Sequence, residues 1–100
     1  MHLQFHSKLR GTSYHQNVVK LLVDGEELDL IRDPNNQFDS NCIEAHHCIW
    51  GKVGVISKEL AAQYASQLDI GNKFKCIITQ VTGKDRPDGN CGVNIKVYSI

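Results

Sequence analysis

The chain carries no excess charge of either sign, because eleven Lys and Arg are cancelled by eleven Asp and Glu. A protein that holds many phosphates is normally basic. Bulk composition therefore gives no nucleic-acid signal, and any DNA contact is expected at a small local site with shallow salt dependence. No apolar run in the sequence approaches the roughly 20 residues of a membrane span, so no membrane partner is expected. The start, Met1-His2-Leu3-Gln4-Phe5-His6, has neither the charged beginning nor the apolar stretch of a secretory signal, and Met1 reads as a natural start. There is no Cys-x-x-Cys pair, no glycine-rich phosphate loop and no serine nucleophile motif. Internal repeats, low-complexity tracts and linkers are missing too. These absences point to a binding or structural protein of the cytoplasm, with Cys42, Cys48, Cys76 and Cys91 as reduced thiols and no cofactor.

The hydrophobic share of 41% excludes disorder, and 100 residues suit one domain, spanning 1–100. Leu3, Phe5, Ser7 and Leu9 alternate with polar neighbours and predict a half-buried strand that Gly11 ends. Gln16 to Val23 fits a short helix or a strand equally well. Asp24-Gly25 is a turn signal, and Leu28 and Leu30 begin the next strand. Cys42 to His47 predicts a third strand with Ile43 and Ala45 on one face. Lys52 to Ile56 predicts a fourth, with Gly54 marking a bulge or a close backbone approach. Ser57 is an N-cap for a helix whose apolar stripe is Leu60, Ala61, Tyr64, Ala65 and Leu68. Phe74, Cys76, Ile78 and Gln80 alternate, as do Val93, Ile95 and Val97 around a polar loop from Gly83 to Gly92. Many short strands with one helix predict a mainly β fold, a small barrel with a helical plug rather than a layered α/β sheet.

The segment richest in chemistry runs from Arg32 through Asp33-Pro34-Asn35-Asn36-Gln37-Phe38-Asp39-Ser40-Asn41 to Cys42. Pro34 and the asparagines build a turn, and an aromatic then precedes a carboxylate. An exposed ring can stack on a nucleobase. The adjacent Asp39 can accept from a sugar hydroxyl and would repel a phosphate in the same place, a pairing suited to a strand terminus. The alternative is purely structural: Asp39 makes an Asx-turn near Asn41, and Phe38 folds into the core. Asp33, Asn35, Gln37, Asp39 and Glu44 have the spacing of an EF-hand, but Phe38 stands where glycine is required and strands flank the loop.

Three stretches together resemble the HIRAN family. They are Gly11-Thr12-Ser13-Tyr14, Leu28 through Ile43, and Gly54-Val55-Ile56-Ser57-Lys58-Glu59-Leu60-Ala61, and the match covers Leu9 to Ile78. The resemblance implies an OB-like barrel of about six strands with one or two short helices. It also implies capture of a free 3′-hydroxyl end of single-stranded DNA, as in the copy fused to Swi/Snf-type fork-remodelling helicases, with a place in DNA repair or replication processing. Carried over, Tyr14 and Phe38 flank or stack on the terminal bases and Asn36 meets a base edge. Asp39 accepts from the terminal hydroxyl, and Lys58 meets a phosphate at the start of a helix, where the backbone also favours an anion. The chain departs from the family pattern in three places. Ser13 stands where the DNA-binding relative has an arginine, Phe38 replaces a tyrosine, and the Gly83–Gly92 loop has no aromatic. With no motor of its own, such a module points to a helicase or nuclease as protein partner.

Two other readings compete. One is a protein-interaction barrel without strong DNA affinity. The other is a metal-binding protein using the Cys42–Cys48 segment. Cys42, His46 and Cys48 are its weak ligand candidates, since residues at alternate strand positions spread rather than converge. The bland expectation is a buried Cys42 with exposed histidines. His47 and Cys48, adjacent on a strand, point to opposite faces and cannot form a catalytic pair. Trp50 reads as a partly packed turn residue, and Tyr64 as core.

Overall fold

In the computed structural model, which describes residues 1–87 and 89–100, strand alternation becomes one antiparallel sheet of six strands in the order β1-β6-β5-β2-β3-β4. The strands are β1 (His2–Lys8), β2 (Glu27–Arg32), β3 (Ile43–His47), β4 (Gly51–Val55), β5 (Phe74–Thr82) and β6 (Gly92–Ser99). Of the ambiguous stretch Gln16 to Val23, the first half is helical: a 3-10 turn at Thr12–His15 runs into a short helix α1 (Gln16–Val19), while 20–23 are turn and irregular chain, and α2 (Lys58–Asp69) is the long helix. Ser57 caps α2 by accepting the Leu60 amide at 3.4 Å. Among the described residues, no helix is long and apolar enough to cross a membrane.

The buried face follows the predicted pattern. Ile43, Ala45, Cys76, Ile78, Val93, Ile95 and Val97 all lie in the core with Val19, Leu22 and Val53. One departure is instructive. Alternation in β5 carries Gln80 inward, but an irregularity between Ile78 and Gln80 slips the register, so Val81 is buried and Gln80 exposed. The extra residue of a bulge restores an apolar inner face where strict alternation would bury an amide. Tyr64 of α2 packs on Phe5 at 4.9 Å and edge-on to Phe74 at 5.7 Å, in keeping with a core role.

The expected OB-like barrel is corrected: the sheet is not closed. Among the described residues, the edges carrying β1 and β4 pair only just past β1, at the Arg10–Val55 bridge, where Arg10 N–H donates to Val55 O at 2.8 Å and Val55 N–H to Arg10 O at 2.9 Å. A barrel needs a ladder along that seam. Here Gly11, at φ 73°, turns the chain away into the 3-10 turn directly after Arg10, so one residue pair is all the seam holds. Gly54 permits even that approach, since a Cβ there would lie 2.6 Å from Arg10 O.

The histidine expectation is corrected as well. His46 is half-buried beside Glu44, and His47 is only 5% exposed. The His47 Nδ1 accepts the amides of Ile49 (3.1 Å) and Trp50 (3.3 Å), while Nε2 lies 2.7 Å from Glu26 Oε2. A ring nitrogen that accepts two amides carries no proton, so the Nε2–H donates to the carboxylate. Trp50, 48% exposed, stacks on this imidazole. The His47 hydrogen bond, helped by the Val23 amide, holds the Glu26 carboxyl below the usual glutamate range. A depressed acid contributes stability that is complete at neutral pH and is lost as pH falls from about 5 through the folded value. Thermal melts of Glu26→Gln should therefore lie below wild type at pH 7 and approach it at pH 3. A gap that stays constant across that range would refute the assignment.

Candidate functional site

The loop between β2 and β3 is braced from within. Asp33 N–H donates to Cys42 O at 3.0 Å and closes its neck. The Asn36 side chain accepts the amides of Phe38 (2.9 Å) and Asp39 (3.0 Å) and donates to Asp33 Oδ2 at 3.2 Å. Asp39 Oδ1 accepts the Asn41 amide at 2.9 Å, the Asx-turn that the residue pattern allows. Arg32 straps the loop from below, donating to Cys42 O (2.7 Å), Ser40 O (2.9 Å) and Asp69 Oδ1 (2.9 Å) at the end of α2.

This bracing presents a bare ring. Phe38 is 89% exposed, so the core alternative does not hold for it. It lines an open cavity of about 460 Å³ together with Arg10, Asn36, Asp39, Lys58 and Glu59, floored by Cys42, Val55 and Ile56. Four of the sequence-derived site residues, Asn36, Phe38, Asp39 and Lys58, thus converge. Asn36 spends its oxygen on two loop amides, so its place is structural as well as local to the cavity. Among the described residues, Asp39 Oδ2 has no hydrogen-bond partner, and neither Lys58 nor Arg10 has an ion-pair partner. Tyr14, 86% exposed on the 3-10 turn, does not line this cavity. Ser13 borders a separate cleft of about 180 Å³ with Lys8 and Arg86.

Arg10 is the site residue that the motifs passed over. It lines the cavity because the Arg10–Val55 bridge pins its backbone beside the end of β4. The available signal was slight: a cation at the end of an alternating strand, just before Gly11.

The metal candidates do not assemble. Cys48 is exposed beyond the end of β3, and His46 Nε2 lies 2.9 Å from Glu44 Oε1. The donors that do meet, within 4.8 Å among the described residues, are Asp33, Cys42 and Glu44. Burial pushes the Cys42 thiol up, and the Glu44 and Asp33 carboxylates add to this, so the thiol stays protonated. Burial also pushes Glu44 up, but the bonds from His46 and Lys52 outweigh it and hold the acid low. A protonated thiol and a carboxylate already holding two partners make poor ligands. Burial likewise drives the core thiol of Cys76 up to about 12.

A model of the HIRAN domain family matches residues 3–99. The crystal structure of a protein from Lactobacillus plantarum superposes with a TM-score of 0.81 and 21% identity, covering 98% of this chain and 93% of that one. The crystal structure of the HIRAN domain of human HLTF superposes with a TM-score of 0.70 and 21% identity, covering 95% of this chain and 74% of the other. Identity this low establishes a shared fold. No curated protein matches the chain.

Proposed function

The chain belongs to the HIRAN domain family, and from that premise we propose that it is a binding module for single-stranded DNA ends that carry a free 3′-hydroxyl. The observation that carries the reading is the exposed Phe38 ring on a cross-braced loop, beside a carboxylate with one unused oxygen. The ring stacks on the last base. Asp39 Oδ2 accepts from the terminal hydroxyl, and Asp39 with Glu59 repels a terminal phosphate. Lys58 and Arg10 face the internal phosphates, and Arg10 supplies the charge that Ser13 does not. Asn36 acts by holding Phe38 and Asp39 in place, with one amide N–H left for a base edge. Tyr14 extends the stacking surface beyond the cavity. The module carries out no reaction itself, and a helicase or nuclease acts on the end it holds.

The test is a titration of labelled single strands that differ only in a 3′-hydroxyl or a 3′-phosphate. Wild type should prefer the hydroxyl, and Asp39→Ala should lose the preference while keeping much of the affinity. Equal affinity of wild type for both ends would overturn the proposal.

A further inference from the structure

The zero net charge hides a strong separation along the chain. Residues 1–23 hold three Lys and Arg and no carboxylate, 24–69 hold nine carboxylates against three cations, and 70–100 hold five cations against two carboxylates. The topology turns this into two unlike halves. β1, β6 and β5 come from the outer thirds of the sequence and are neighbours in the sheet, while β2, β3 and β4 come from the acidic middle. No Asp or Glu occurs in β1, β6 or β5. At the junction of the halves Lys75 is met by Glu27 at 3.4 Å. Farther out, Lys8 and Lys96 have no ion-pair partner among the described residues.

These free cations line a shallow cavity of about 570 Å³ on the exposed face of β1 and β6, with His6, Ser7, Thr79 and Asn94, and among the described residues no carboxylate borders it. His6 and Lys96 are direct cross-strand partners. Lys8 is also two residues from Arg10, a span of at most about 7 Å in extended chain. Arg10, Lys8 and Lys96 therefore form a cationic path that leads out of the end-binding cavity and onto the sheet face.

We infer that this β1–β6 face holds the phosphodiester backbone of the same strand whose end occupies the cavity. The inference builds on the end-binding reading and adds a second surface to it. Charge complementarity identifies the occupant: a lattice of lysines, hydroxyls and amides without a carboxylate suits a chain of phosphates.

The experiment uses single strands with the same 3′-hydroxyl terminus and lengths from about 4 to about 16 nucleotides. Wild-type affinity should rise with length. A double variant, Lys8→Ala with Lys96→Ala, should bind the shortest strand as wild type does and lose most of the gain on the longest. Two lost phosphate contacts also flatten the salt response. Between about 50 and 200 mM salt the longest strand should lose roughly sevenfold more affinity on wild type than on the variant. Phe38→Ala should weaken every length and keep the gain. A flat length profile in wild type, or a gain untouched by the double variant, would overturn the inference. So would a double variant that loses binding only to phosphatidylserine vesicles and not to DNA. If the length gain depends on Lys8 and Lys96 while 3′-hydroxyl and 3′-phosphate bind alike, the face stands and the end-binding reading falls.

Discussion

Phe38→Ala weakens binding of a 3′-hydroxyl single strand by roughly five- to 150-fold, the equivalent of about 1–3 kcal/mol for one stacked base. The melting temperature should barely change. The ring is 89% exposed and is absent from the core cluster, so its loss opens no cavity. The loop keeps its shape because its braces come from Arg32, Asn36 and Asp39, and from Phe38 only the backbone amide. Phe38→Trp should retain affinity, as a larger face stacks equally well. Binding by calorimetry together with a thermal melt decides the matter. A large fall in stability with unchanged affinity would assign the ring to packing instead of to ligand.

Gly54→Ala should lower stability by about 1–3 kcal/mol, the usual penalty for forcing extra volume into a packed site. In a domain of this size that corresponds to a fall in melting temperature on the order of 10 °C. The new methyl would lie 2.6 Å from Arg10 O, 3.3 Å from Thr12 Cγ2 and 3.5 Å from Leu9 Cβ. The first of these is a backbone atom, and it accepts the Val55 amide, so the clash cannot be relieved by a side-chain rotation. Easing it requires β1 and β4 to part at their single bridge. Because that bridge places Arg10 at the cavity, DNA affinity should fall along with stability. A variant that melts like wild type would mean that the seam contributes little.

What could be read from the residues beforehand was mostly local. Alternation is a property of neighbours, so the buried faces of β3 and β6 follow from Ile43 and Ala45 or from Val93, Ile95 and Val97. The site loop is local as well, since Asn36, Phe38 and Asp39 lie within four positions, and Ser57 places Lys58 at the start of its helix. Features decided by distant partners were not visible. Arg10 gains its position from Val55, and His47 is buried because Glu26 waits for its proton. The open seam depends on where Gly11 turns the chain relative to β4. The direction of the Phe38 ring was undecidable for a similar reason. The loop that carries it is strapped by Arg32, which also reaches Asp69, thirty-seven positions away.

That same Arg32 strap has a thermodynamic consequence. A recognition segment that is flexible when free must surrender conformational freedom on capture, which slows association and erodes affinity. Here the guanidinium fork pre-shapes the segment before any ligand arrives. Association should then proceed at a collision-controlled rate with a small heat-capacity change, and loosening the fork should show first as slower capture and only afterwards as faster release.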